Sequence, residues 1–97
     1  MRVIAIATLR SYWEGHPETR LPLSEWYMKV CNARWRSFAD MKADFGSVDY
    51  VGNQRYVFNI KGKKYRLVVA VKFTPELVYI RFVGTHAEYD GIDVKTI

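Results

Sequence analysis

From Arg55 to Val83 the chain alternates with period two, and this narrows its possible folds more than any other feature. Successive side chains of a strand point to opposite faces. Tyr65, Leu67, Val69, Val71 and Phe73 therefore share one face, and Lys64, Arg66, Val68, Ala70 and Lys72 the other. The spacing predicts a strand over Arg55–Ile60, a tight hairpin connection at Lys61-Gly62, a second strand from about Lys63 to Phe73, a break at Pro75, and a third strand over Leu77–Val83. Links this short make neighbouring strands antiparallel. Val48–Val51 reads as one more short strand, followed by a turn at Gly52-Asn53.

The first half carries a different period. After an apolar opening strand, Met1-Arg2-Val3-Ile4-Ala5-Ile6-Ala7, Thr8 is placed to cap a short helix through Leu9, Tyr12 and Trp13, which Gly15 and Pro17 end. Leu23, Trp26, Tyr27 and Val30 recur at helical spacing and predict a second helix from about Leu23 to Arg34, with Pro22 at its start. A third is expected over Phe38–Phe45, entered through Ser37 and Asp40 and stopped by Gly46. Trp13, Trp26 and Trp35 all lie in these helical patterns, which assigns them to packing. Helices that precede a sheet cover one of its faces, so the expected fold is α+β, a two-layer domain with an antiparallel sheet and the N-terminal helices packed on one face.

Ninety-seven residues, 49% of them hydrophobic, suffice for one core and one domain over 1–97. No apolar run approaches the roughly 18 residues of a membrane span, and the opening segment is too short and too poor in basic residues for a secretory signal. A single cysteine, Cys31, cannot form an internal disulfide and fits a reducing cytoplasm; its helical setting suggests a small core or boundary residue. The net charge of +5 is unevenly spread. Residues 1–50 hold seven Lys and Arg against six Asp and Glu, whereas residues 51–97 hold eight against four. The excess in the strand-rich half suits a nucleic acid or an acidic protein partner.

The chemistry-bearing residues gather at the end of that half. His86 and Tyr89 follow the last strand and are three residues apart, close to one helical turn. Histidine exchanges protons readily near neutral pH. Arg66 and Arg81 are lone cations inside apolar strand runs, where a purely structural sheet has no need of them. Lys64, Lys61 and Asn59 extend the polar face. A proton-transfer group beside guanidinium groups suits chemistry on a phosphodiester. Glu88 is a further possible base or a solvated turn residue, and Asp90 a turn ending. The chain shows neither metal-site spacing nor a Gly-rich phosphate loop, so no metal or cofactor is expected.

Tyr56-Val57-Phe58-Asn59-Ile60, Tyr65-Arg66-Leu67-Val68, Tyr79-Ile80-Arg81 and Thr85-His86-Ala87-Glu88-Tyr89-Asp90, in that order, resemble the HigB family of bacterial toxins within the RelE-like superfamily. Trp35, Ser37-Phe38, Met41-Lys42 and Phe45 extend the resemblance into the helical half. It implies the toxin of a type II toxin–antitoxin pair, a cytoplasmic mRNA interferase that cleaves messenger RNA, usually in the ribosomal A site, without a metal ion. It also implies a cognate HigA-like helix-turn-helix antitoxin, with operator DNA bound only through the toxin–antitoxin complex. The residues expected to act are His86, Tyr89, Arg66 and Arg81 in catalysis, with Lys64, Lys61 and Asn59 on the substrate. Two other readings are a non-catalytic RNA-binding module that stacks bases on Tyr56, Phe58, Tyr65 and Phe73, and a protein-interaction domain with a basic face.

Overall fold

A computed structural model describes residues 1–97. The elements run β1 (Arg2–Ile4), α1 (Ile6–Gly15), a 3-10 turn (Pro17–Thr19), α2 (Arg20–Cys31), α3 (Phe38–Asp44), β2 (Asp49–Gly52), β3 (Arg55–Ile60), β4 (Tyr65–Lys72), β5 (Leu77–Thr85) and α4 (His86–Asp90). The strands form one five-stranded sheet in the order β1-β5-β4-β3-β2. No helix is long and apolar enough to cross a membrane.

The period-two segments fold as the sequence dictates. Tyr65, Leu67, Val69 and Val71 of β4 join Tyr56, Phe58 and Ile60 of β3 and Val78, Ile80 and Val83 of β5 in one buried cluster. Leu9 of α1, Leu23, Trp26 and Val30 of α2, Trp35 and Met41 of α3 close over it from the helical layer. Phe58 sits at its centre, in edge contact with Trp26 and Phe45. Trp35 satisfies its buried indole through Asp44, at 2.8 Å. The β3–β4 hairpin turns through left-handed backbone at Lys61 (φ 53°) and Gly62 (φ 67°), the conformation that matches the twist of the flanking strands.

Several boundaries differ from the sequence expectation. The sheet is mixed, not wholly antiparallel: β1 docks parallel on the edge of β5, with Arg2 opposite Leu77. A three-residue edge strand carries no pattern from which its direction could be read. Thr8 does not cap α1, which begins at Ile6 behind a left-handed Ala5 (φ 71°). The second helix starts at Arg20, because the 3-10 turn feeds directly into it, and stops at Cys31 short of Arg34. Cys31 is exposed, since it projects about 100° around the helix from the Leu23–Trp26–Val30 stripe. The Ser37 cap of α3 is present, its hydroxyl accepting from the Asp40 amide at 3.4 Å.

The far face of the sheet is only partly open. Val57, Val68 and Ala70 are buried there outside the main cluster. The chain after α4 returns across this face to the start of β3. Asn53 Nδ2 donates to the Lys95 carbonyl at 2.7 Å, and Arg55 Nη2 to the Ile97 main-chain oxygen at 2.6 Å.

Candidate active site

β4 and β5 run antiparallel with Arg66 opposite Gly84 and Tyr65 opposite Thr85, and β5 passes directly into α4. Thr85 makes that passage sharp. Its hydroxyl accepts from the Glu88 amide at 3.1 Å while the Glu88 carboxylate accepts from the Thr85 amide at 2.8 Å, a reciprocal capping box. These bonds hold the Glu88 carboxyl below the usual carboxylate range. The His86 amide is tied back to the Lys64 carbonyl at 3.3 Å. A five-residue helix with little packing of its own is thereby held over the open end of β4.

The arrangement brings Arg66, His86, Tyr89 and Asp90 together. Arg66 Nη2 lies 3.1 Å from His86 Nε2, and His86 Nδ1 lies 3.2 Å from Asp90 Oδ2. The Arg66 guanidinium lies 5.0 Å from the centre of the Tyr89 ring. A guanidinium can only donate, so Nε2 accepts and the proton of a neutral imidazole sits on Nδ1, where Asp90 accepts it. The chain Arg66–His86–Asp90 thus fixes one tautomer and leaves a basic nitrogen beside a cation. Arg66 Nε is buried without an acceptor. Gly84 leaves space opposite Arg66, and a Cβ there would come within 2.6 Å of the Phe82 ring.

The remaining expected residues are more scattered. Asn59 is the direct cross-strand partner of Arg66 on β3, so the two share a face. Lys64 adjoins the site through its carbonyl, with its ammonium 5.6 Å from the Tyr65 ring. Arg81 is on the same face but occupies a bulge: Val68 pairs with Phe82 and Val69 with Ile80, which leaves Arg81 unpaired, exposed and lying over Tyr79 at 5.6 Å. Lys61 lines a different recess, between α2 and β3.

The structure gives Asp90 and Glu88 roles other than the turn ending and the base or solvated turn residue that the sequence suggested, and it adds residues that sequence reasoning passed over. Asp90 orients the histidine, and its i, i+4 spacing from His86 was the available signal. Glu88 serves as a cap, foreshadowed by the Thr85-x-x-Glu88 pattern. Behind α4, Tyr12 of α1 donates to Glu88 at 3.3 Å and stacks on His16 at 4.0 Å, and the Tyr65 hydroxyl donates to Glu18. Burial, then the Glu88 carboxylate, push the Tyr12 phenol up to about 12. No three His, Cys, Asp or Glu side chains converge as a metal site requires.

The sequence model of the HigB toxin family, described as the RelE-like toxic component of a toxin–antitoxin system, matches residues 19–92. The chain belongs to this family. It is 32% identical over 93 residues to the mRNA interferase toxin HigB of Escherichia coli K12, an alignment covering 93% of this chain and 88% of that protein. The mRNA interferases HigB of Escherichia coli O157:H7 and Shigella flexneri match at the same identity and coverage. The family match includes β4, β5 and α4, and with them every group of the Arg66–His86–Asp90 chain.

Proposed function

We propose that this HigB-family toxin is an endoribonuclease that cleaves messenger RNA in the ribosomal A site by metal-independent acid–base catalysis and so inhibits translation. The observation that carries this reading is the His86 ring held between Arg66, 3.1 Å from Nε2, and Asp90, 3.2 Å from Nδ1. The relatives named mRNA interferases support RNA as the substrate.

RNA brings its own nucleophile. His86 Nε2 removes the proton of the 2′-hydroxyl, the 2′-oxygen bonds to phosphorus, and the bond from phosphorus to the 5′-oxygen breaks. The departing oxygen takes up a proton, for which Tyr89 carries the available hydroxyl. One fragment ends in a 2′,3′-cyclic phosphate and the other begins with a 5′-hydroxyl. Arg66 bonds to Nε2 in the free protein. A phosphate gives its N–H groups a charged acceptor, which frees Nε2 and neutralises the charge that builds on phosphorus-bound oxygens. Lys64 and Asn59 flank the same phosphate, Arg81 extends the cationic surface along β5, and Lys61, in the recess between α2 and β3, takes no part at this phosphate. A guanidinium here does the electrostatic work that a metal ion does elsewhere.

In this reading the 97 residues act as one cytoplasmic toxin domain, neutralised by a HigA-like helix-turn-helix antitoxin, and operator DNA is bound only through that complex. The base-stacking alternative keeps little of its platform, because Tyr56, Phe58 and Tyr65 are buried against the helices and Phe73 is partly buried against the same core. Incubation of the purified chain with programmed ribosomes tests the proposal. Cleavage within the A-site codon, with cyclic-phosphate ends and insensitivity to chelators, is expected. Intact message after prolonged incubation would contradict it.

A further inference from the structure

A second recess lies away from the His86 cluster. It has a volume of about 260 Å³ and is lined by Pro22, Glu25, Trp26 and Lys29 of α2, by Phe45, and by Asn59–Lys61 at the end of β3. Three independent features mark it as unfinished. First, Trp26 is 97% buried, yet its indole N–H has no acceptor. A buried, unpaired donor costs free energy that native proteins seldom leave uncompensated. Second, β2 pairs with β3 only as far as Val57, so no strand covers the outer edge of β3 from Phe58 to Ile60. The Val71 amide donates to the Gln54 carbonyl at 3.1 Å, and pairing then alternates along β3, which turns the main chain of Asn59 away from β4 and toward the open edge. Third, Leu21 and Met28 are 68% and 64% exposed. They are seven residues apart, two turns along one face of α2, and Glu25 between them leads into the recess.

We infer that the antitoxin docks here, by laying an extended acidic segment along the free edge of β3 in the trough beside α2. The inference rests on the chain being the toxin half of a pair. The segment's main chain would pair with Asn59, and an acceptor side chain would take the Trp26 N–H. Apolar residues of the same partner would cover Leu21 and Met28. Acidic character follows from the two ammonium groups at the rim, Lys29 and Lys61, set against the single carboxylate of Glu25. Strand addition at an open edge draws affinity from main-chain hydrogen bonds, and the adjoining pocket sets specificity. Neither Leu21 nor Met28 touches the His86 cluster, so neutralisation and catalysis are separable by mutation.

Photo-crosslinking with the purified cognate antitoxin tests this. A benzophenone side chain is placed at Glu25 or Met28, and in a control chain at Tyr79 on the far face of the sheet. Crosslinks from Glu25 and Met28 into one acidic antitoxin peptide are expected, together with at least a tenfold weaker complex for the double variant Leu21→Glu, Met28→Glu. That variant, with both changes on exposed positions, should remain toxic and escape neutralisation. Crosslinking from Tyr79 alone, or full neutralisation of the double variant, would overturn the docking site and leave the RNase reading intact. Failure of that antitoxin to bind the wild-type chain at all would overturn the docking site and the toxin–antitoxin partnership together. An intact RNase with no complex would be its signature.

Discussion

At the scale of single residues the account turns on which nitrogen of His86 is free. Arg66 settles that by being unable to accept, and Asp90 by being unable to donate when ionised. Asp90 is a positioning residue, which separates it from the groups that meet the substrate. Asp90→Ala should slow cleavage about tenfold, the worth of one hydrogen bond. Asp90→Asn should restore most of the rate, because its amide oxygen still accepts from Nδ1–H. Equal loss in both variants, measured under single-turnover conditions, would mean that the charge matters and not the orientation. Arg66→Ala removes charge-assisted bonds worth roughly 1.5–3 kcal/mol, so the rate should fall by about ten- to a hundredfold. A large drop in melting temperature with normal activity of the folded fraction would make Arg66 structural.

At the scale of elements, α4 depends on its cap and on the residues behind it. Thr85→Ala should cost about 1 kcal/mol of stability, the usual worth of an N-cap, and should loosen His86. Hydrogen exchange at the α4 amides measures this directly. The pH response follows from the shifts on either side. The carboxyls of Glu88 and Glu18 are lowered by bonds from Thr85 and from Tyr65 respectively. Their stabilisation is complete above the ordinary glutamate value of about 4.3 and disappears as pH falls through the lower folded values. Tyr12 is raised to about 12, chiefly by burial, and Tyr65 is raised by its bond to Glu18. Their contribution is complete below the ordinary tyrosine value of about 10 and is lost as pH rises through the folded values. Protection of α4 should therefore fall at both extremes, and a flat profile would show that the cap and bridge contribute nothing. The same element shows what the sequence made legible. Period two located β3, β4 and β5, and the register of β3 on β4, which alternation leaves open, put Arg66 and Asn59 on one face. Period two could not show the bulge that isolates Arg81, because an extra residue is invisible to alternation. Nor could it show that Tyr12 meets Glu88 or that Tyr65 meets Glu18, since those contacts join residues far apart in the chain through tertiary packing. The direction of β1 was equally hidden, whereas the outward turn of Cys31 follows from its place about 100° around the helix from the Leu23–Trp26–Val30 stripe.

At the scale of the molecule, one sheet separates two tasks. The helical layer completes the core and leaves the α2 recess at the edge of β3. The other face carries Arg66 and Arg81 and, beside α4, the His86 cluster. The charge excess lies in the half that builds this sheet. Association with an acidic antitoxin should slow as salt screens that field. Stopped-flow association at rising ionic strength checks this, and a salt-independent rate would remove electrostatic steering. The central claim, that His86 moves the proton that starts cleavage, has its most direct test in single-turnover cleavage on programmed ribosomes by folded His86→Gln. Glutamine keeps a hydrogen-bonding group near Arg66 but cannot take up a proton at neutral pH. The expected rate is lower by about 10²–10⁴-fold, the usual worth of a general base, with ribosome binding unchanged. A rate near that of the wild type would contradict it.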